Sequence, residues 1–452
     1  MKQQHSVLLG FIVVAAAVFW LLTTREAQVA APTAPVAAVA PATAPEAPAA
    51  EPAPAPAVTP TPMPPAQAVA QAGAAVAAAA EAEAPIGAGE FGLFFTTNTM
   101  GELIDCGCRQ NPLGGLARRV RWIRERAARY PAKLVVDTGG TLVADAAAVA
   151  ETPEQLEARA NIYLAALAAN GAVGLNVGAQ ELTLPPAKLQ TLADRHKVTL
   201  LSGNLRKGDA AAFQESVLLD VAGTKVGVFG LVTAKVPAAD KWVAGQGLRI
   251  DDPVAAAARV AKELKAKGAK LIVAAAQLRQ DEIDAIGEKV PDVDLILGSW
   301  EMDLTQRPNF LGRGFHLDAY NKGKWIGELR VRPGVGDRWF VPDLRDKLSY
   351  EQGSLQRQIA YYTEQFAKDD APGATKALSD TERKFAEERM VMLKAKLGRV
   401  NLELQGGIDQ PNGGAALLPE LTAVKVELPE DEAIAALVAA HHKIWPPPAG
   451  EH

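Results

Sequence analysis

The chain has 452 residues and a mass of 47.6 kDa, enough for about two to four modules, and the part beyond its alanine- and proline-rich tract can hold a sizeable core. A net charge of -5 and a pI near 5.8 leave no basic field to attract nucleic acid, so that partner class is set aside. The two cysteines, Cys106 and Cys108, exclude a disulfide scaffold and a four-thiolate zinc site, and c-type haem is excluded because Cys-x-x-Cys-His occurs nowhere.

Lys2 and His5 precede an apolar run from Val7 to Leu22, which marks residues 1–26 as an export segment. We read it as an uncleaved signal anchor, a cleaved signal peptide being the alternative; either places the rest of the chain in the periplasm. Residues 27–88 are almost wholly Ala and Pro in their first half and Ala-rich afterwards, a composition that cannot bury enough apolar surface to fold. A disordered linker in extended polyproline II is expected, able to hold a domain on the order of 100 Å from the membrane.

From Phe91 the pattern changes to short β-rich runs followed by amphipathic helices. Phe91 to Thr97 leads to a helix over Leu116 to Tyr130, Lys133 to Asp137 to one over Pro153 to Asn170, and Val173 to Val177 to one over Pro186 to Lys197. Strand Thr199 to Ser202, a hairpin of Glu215 to Val221 with Lys225 to Val232, helix Pro253 to Lys267, and strands Lys270 to Ala275 and Val293 to Gly298 continue it. Strands this rich in Val, Leu and Ile suit a sheet covered on both faces. Phe315 to Tyr320, Trp325 to Val331 and Trp339 to Leu344 are expected to be antiparallel and to form a second sheet. Beyond residue 345, Gly353 to Lys368 and Thr381 to Leu397 suit a helical hairpin, followed by a strand over Thr422 to Leu428 and a capped helix from about Pro429. The expected organisation is a mixed α/β domain over 89–345, with a helical hairpin and tail over 346–452 packing on it.

The phrases TNTMGEL, GGLARR, LVVDTGGTLV, GLNVGAQELTL, LLSGNL, VGVFGLVTAKV, LIVAAAQL and VDLILGSWEMDL resemble, in order and spacing, the calcineurin-like metallophosphatase domain of bacterial 5′-nucleotidases and UDP-sugar hydrolases. The resemblance spans about residues 91–345 and implies an αββα sandwich with mixed sheets. It also implies a two-metal phosphoesterase site built from Asp-x-His, Gly-Asp, Gly-Asn-His-Glu, a lone His and Gly-His-x-His. Those positions hold Thr99 and Gly101, Gly140, Ala179 and Gln180, Gln277, and Trp300 with Met302. Amides, hydroxyls, indole and thioether do not hold two divalent cations, so phosphohydrolysis is not expected and no metal or cofactor is assigned. Trp300 and Met302 are expected to plug the emptied cavity. Asn98, Asp137, Glu181, Asn204, Gln277 and Trp300 are candidate pocket-lining residues, Glu181 and Asn204 equally suiting a role in holding loops to the backbone.

Cys106-Gly107-Cys108 falls on the loop after the first strand, the carboxyl edge of an open α/β sheet, where ligands bind. We take the two thiols as the reacting pair. Arg109, Arg118 and Arg119 would favour the thiolate, and Glu102 and Asp105 flank it as candidate proton acceptors. A bridge across Cys-x-Cys closes a very small ring, which favours a labile bond over a structural one. The same residues resemble a narrower group of 5′-nucleotidase-like proteins in which cysteine or selenocysteine fills this motif, and that likeness implies redox or nucleophilic chemistry. It also implies a separate redox or cytochrome partner, because relatives of that kind continue into a multihaem domain. Soft-metal binding by adjacent thiolates, and a binding or scaffold pseudoenzyme with passive cysteines, remain open at this point. His441 and His442 are read as surface histidines.

Overall fold

The computed structural model describes residues 85–108, 110–142, 151–233, 235, 243–371 and 379–447. The expected export segment (1–26) and the expected linker up to residue 84 lie outside the described residues. Among the described residues no helix is long and apolar enough to cross a membrane.

The first half of the fold runs β1 (Phe91–Thr96), α1 (Leu116–Ala127), β2 (Lys133–Asp137), α2 (Pro153–Asn170), β3 (Gly174–Asn176), α3 (Pro186–His196) and β4 (Leu200–Leu201). Short strands β5 (Leu205–Lys207) and β6 (Ala210–Ala211) lead to the hairpin β7 (Ser216–Val221) and β8 (Thr224–Val232). Then come β9 (Arg249–Ile250), α4 (Pro253–Ala266), β10 (Leu271–Gln277), α5 (Gln280–Lys289), β11 (Leu295–Leu297), β12 (Asn309–Leu311) and β13 (Gly314–Leu317). The chain ends in β14 (Trp325–Arg332), β15 (Val335–Phe340), α6 (Leu344–Asp369), α7 (Asp380–Gln405), β16 (Gly414–Ala423) and α8 (Glu432–Ile444).

Two mixed sheets lie face to face. One has the order β15-β16-β14-β1-β2-β3-β4, the other β12-β13-β11-β10-β8-β7, and β6-β5-β9 form a small third sheet. The side-chain period of two explains why the central strands read as unbroken apolar runs. In β1, Phe91, Leu93 and Phe95 enter the inter-sheet core while Phe94 packs under α1 against Ile123 and Ala127. In β10, Leu271, Val273 and Ala275 face the other sheet while Ile272, Ala274 and Ala276 pack with α4 and α5 residues such as Ala257, Val260 and Ile283. Helices α1, α2 and α3 cover the opposite side with Leu116, Val120, Tyr163, Leu164, Leu189 and Leu192 over Leu175 and Leu200. The result is the expected αββα sandwich.

Helix boundaries follow local chemistry. Thr152 caps α2 by accepting from the Gln155 N–H, with Pro153 at the first helical position, and Gly171 ends it in the left-handed region at φ 67°. Asp252 and Asp431 cap α4 and α8 in the same way.

Three expectations are corrected. The strand runs after residue 314 do not form one sheet: β13 lies parallel to β11 in the six-stranded sheet, whereas β14 pairs antiparallel with β1 and β15 pairs parallel with β16 in the other. The last strand is β16 at Gly414–Ala423, not Thr422 to Leu428, and it lies between β14 and β15. Helix α5 (Gln280–Lys289) stands where the sequence reading placed no element, and it buries Glu282, Ile283 and Ile286. The expected hairpin of α6 and α7 is present and antiparallel, Gln352 donating to Asn401 at one end and Arg383 pairing with Asp370 at the other. Its apolar edge, Leu348, Leu355, Leu393 and Val400, joins the inter-sheet core.

Candidate functional site

The carboxyl ends of β1, β2, β3, β10 and β11 converge on a cluster of amides. Gln277, the last residue of β10, donates from Nε2 to Gln180 Oε1 at 2.7 Å and to Asn98 Oδ1 at 3.2 Å, and its Oε1 accepts the Ala179 N–H at 2.8 Å. Asn98 Nδ2 donates to the Ser299 carbonyl at 2.6 Å. Asn98 itself stands in the left-handed region at φ 42°, which asparagine tolerates better than most residues. Gly140 closes the cluster at φ 68°, and a Cβ there would stand 2.6 Å from both Asn98 Oδ1 and Gln277 Nε2. The space that a side chain at position 140 would need is filled by amides.

Around this cluster the carboxylates are committed to the backbone or to hydroxyls. Glu181 accepts four backbone N–H groups, from Gly140 (3.0 Å), Thr141 (2.7 Å), Leu142 (3.0 Å) and Gly178 (2.9 Å). Asp137 accepts Thr96 Oγ1 at 2.6 Å, Thr141 Oγ1 at 2.5 Å and the Gly139 N–H at 3.0 Å. Burial pushes it up to about 6 against those bonds. Asp318 accepts Thr97 Oγ1 at 2.8 Å and the Ser299 hydroxyl, and burial raises it to about 7. Among the described residues no group of three or more His, Cys, Asp or Glu is placed to hold a metal ion.

Two details differ from the expectation. Asn98, one residue before Thr99, faces Gln277, whereas Thr99 Oγ1 donates to the Thr141 carbonyl at 3.4 Å. Trp300 and Met302, expected as plugs, engage other partners: Arg279 lies 5.5 Å from the Trp300 ring centre, and Asn321 Nδ2 stands 3.7 Å from Met302 Sδ. Asn204 is a loop tie, donating to the Val232 and Asp251 carbonyls and accepting the Val232 N–H.

Cys106 and Cys108 stand at the turn of a short hairpin. Asp105 bridges Gly114, and the Cys106 N–H donates to the Leu113 carbonyl at 2.9 Å. The hairpin is pinned from two sides. Leu113 bridges Lys425 and the Gly114 N–H donates to the Val424 carbonyl at 2.7 Å, while Gly114 lies against the Lys322 carbonyl. The Lys322 N–H in turn donates to the Asn98 carbonyl at 2.9 Å, which sets the cysteine loop beside the amide cluster.

Both cysteines are free thiols, with sulfurs 2.8 Å apart. Gly107 makes the turn between them at φ 63°, its N–H donating to Asp105 Oδ2 at 3.2 Å. Cys106 is half-buried and Cys108 exposed. Burial works against a Cys106 thiolate, yet the Cys108 thiol, backbone hydrogen bonds at Leu113 and Cys108, and the Lys324 charge together hold its pKa below the ordinary thiol value. Cys108 is raised, first by its hydrogen bond to Cys106, then by burial and by the charge on Cys106.

Two of the three arginines named from the sequence, Arg118 and Arg119, are engaged elsewhere. Arg109 lies outside the described residues. Arg118 pairs with Glu430 at 3.0 Å and approaches Asp105 at 4.0 Å. Arg119 points inward, 3% exposed, donating to Tyr163 Oη at 3.0 Å and the Glu102 carbonyl at 3.4 Å. Glu102 pairs through its side chain with Lys322 at 2.9 Å. Among the described residues the cations that act on the thiols are Lys322 and Lys324, and Lys324 also lies 5.4 Å from the Tyr320 ring centre. Nothing local in the sequence marks these lysines, because only the β13–β14 connection brings them to the hairpin.

The fold is that of 5′-nucleotidase-type metallophosphatases. A 5′-nucleotidase precursor from Thermus thermophilus superposes with a TM-score of 0.54 at 18% identity, over 79% of this chain and 59% of that one. The sulfate thiohydrolase SoxB of the same organism superposes with a TM-score of 0.52 at 14% identity, over 78% of this chain and 60% of that one. This chain therefore spans about three fifths of the length of each. No family model matches the chain, and no curated protein matches it.

Proposed function

We propose that this protein performs thiol redox or electron-transfer chemistry through Cys106 and Cys108, on a metallophosphatase-like domain that has lost its two-metal site. The observation that carries the reading is the thiol pair itself: two free sulfurs 2.8 Å apart, one exposed, the other favoured as thiolate by its partner, the backbone and Lys324. The donor set argues against the ancestral chemistry. Two bridged divalent cations require anionic bridging oxygen and free imidazole, and here mutually bonded amides fill the space while Glu181 is spent on four N–H groups. The likeness of Cys-Gly-Cys to the cysteine- or selenocysteine-bearing 5′-nucleotidase-like group supports the same assignment. The apolar Val7–Leu22 run and the Ala/Pro tract support a membrane-anchored protein that presents this domain in the periplasm, with a separate redox protein, such as a cytochrome, as its partner.

The test is the reduction potential, thiol pKa and metal content of the full-length protein prepared without chelator. A single two-electron couple above about -300 mV with an early-titrating thiol is the expected result. Two tightly bound divalent ions, or thiols that neither oxidise nor titrate early, would overturn it.

A further inference from the structure

We infer that the pair is polarised: in its oxidised form an external thiolate attacks Cys108, Cys106 departs as the thiolate, and the protein takes electrons from thiol donors. The inference rests on the redox reading proposed for this site and adds a direction to it.

Displacement at a disulfide sulfur is in line, so the attacker must approach along the S–S axis from behind the sulfur it strikes. Cys108 is exposed and offers that approach to solvent. Cys106 is half-buried at the base of the hairpin, where Asp105 bridges Gly114, Leu113 bridges Lys425, and the 322–323 segment lies against Gly114. It is the less accessible of the two residues. Leaving-group quality points the same way, since the departing sulfur should be the one whose thiolate is better stabilised. Cys106 has backbone hydrogen bonds at Leu113 and Cys108 to hold its thiolate, while Lys324 favours the charged form of either sulfur.

The steps balance. A donor thiolate forms a bond to Cys108 Sγ as the Cys106–Cys108 bond breaks, and the electron pair stays on Cys106. A second donor thiolate then attacks the donor sulfur of the mixed disulfide and releases Cys108, which takes up a proton. Two donor thiols become one disulfide, and the protein disulfide becomes the dithiol.

The experiment uses the full-length wild-type protein oxidised with diamide, pulsed with glutathione, quenched with acidic N-ethylmaleimide, and fragmented by mass spectrometry across Gly107. Glutathione should reside on Cys108 with the maleimide on Cys106, in about tenfold or greater excess over the reverse arrangement. Glutathione mainly on Cys106, or shared equally, overturns the polarity while leaving redox activity standing. Failure of diamide to form any Cys106–Cys108 bond removes the redox reading itself. A second readout avoids adduct migration: in the reduced single variants Cys108→Ser and Cys106→Ser, iodoacetamide should alkylate the remaining Cys106 at lower pH than the remaining Cys108. The opposite order also overturns the proposal.

Discussion

Gly140 shows how closely a single position can be packed among side-chain amides. It holds φ 68° and has Asn98 Oδ1 and Gln277 Nε2 within 2.6 Å of where a Cβ would stand. Gly140→Asp would combine left-handed strain with displacement of two hydrogen-bonded amides, so a loss of about 2–4 kcal/mol in denaturant unfolding is expected, with no gain of divalent-metal binding. Near the cysteines the lever is charge. Lys324→Met removes a cation that helps to lower Cys106, so alkylation of Cys106 near neutral pH should slow severalfold at low salt. The difference should shrink as salt is raised, because Lys324 is partly exposed. The six residues expected to line a pocket stand at strand ends or in the connections that follow them. Their partition was not legible in the sequence. Asn98 and Gln277 meet, Asp137 and Glu181 hold turns, Asn204 ties a loop, and Trp300 turns to Arg279. Sequence spacing puts all of them at one edge and says nothing of which rotamers touch.

At the scale of elements, Arg307 adds a largely buried ionic tie between the α6/α7 hairpin and the sandwich to the apolar contacts of the hairpin's edge. Arg307, just before β12, donates to Glu403 near the end of α7 at 2.7 Å and to Glu351 on α6 at 2.7 Å. Glu403 also accepts the Phe310 N–H and is buried. Arg307→Met would leave that carboxylate buried without its cation, a change that costs about 3–5 kcal/mol in comparable sites. The amides of α7 should then exchange faster than those of β10, which hydrogen exchange would read directly. The hairpin was visible in the sequence as two charged helical runs, and the βαβ units as alternating apolar and amphipathic segments. Strand partners were harder. β14 lies between β1 and β16, and β15 runs parallel to β16, pairings between segments far apart in the chain that no local period encodes.

Across the whole molecule, three buried aspartates give stability a definite pH dependence. Burial raises Asp137 to about 6 and Asp294 and Asp318 to about 7, from an unfolded value near 3.8. The folded state therefore holds protons that the unfolded state has lost. This contribution is full below pH about 4 and disappears as pH rises through 6 and 7. Buried His316, lowered to about 4, acts in the opposite sense: its contribution is present above pH 6.5 and is lost as pH falls through 4. Asp318→Asn removes one of the raised groups, so its melting temperature should fall less than that of the wild type between pH 5 and 8. With a folded value near 7 and an unfolded one near 3.8, a single such group can contribute on the order of 3 kcal/mol between pH 5 and 8. A variant curve parallel to the wild type would show that Asp318 is ionised in both states.

The amino-acid sequence alone determined most of the strand-and-helix order of the sandwich, the amide, glycine and hydroxyl residues beyond its strand ends, and the prominence of Cys106 and Cys108. Those are properties of local period and residue identity, and both are read along the chain. Tertiary structure decided how Asn98, Gln180 and Gln277 meet, which cysteine is exposed, and that Lys322 and Lys324, rather than Arg118 and Arg119, act on the thiols. It also placed β16 inside the first sheet and the Val424–Lys425 segment behind the cysteine hairpin. Hydrogen bonds, burial and electrostatic fields act through space within a few ångströms, and those distances exist only once segments distant in sequence have paired.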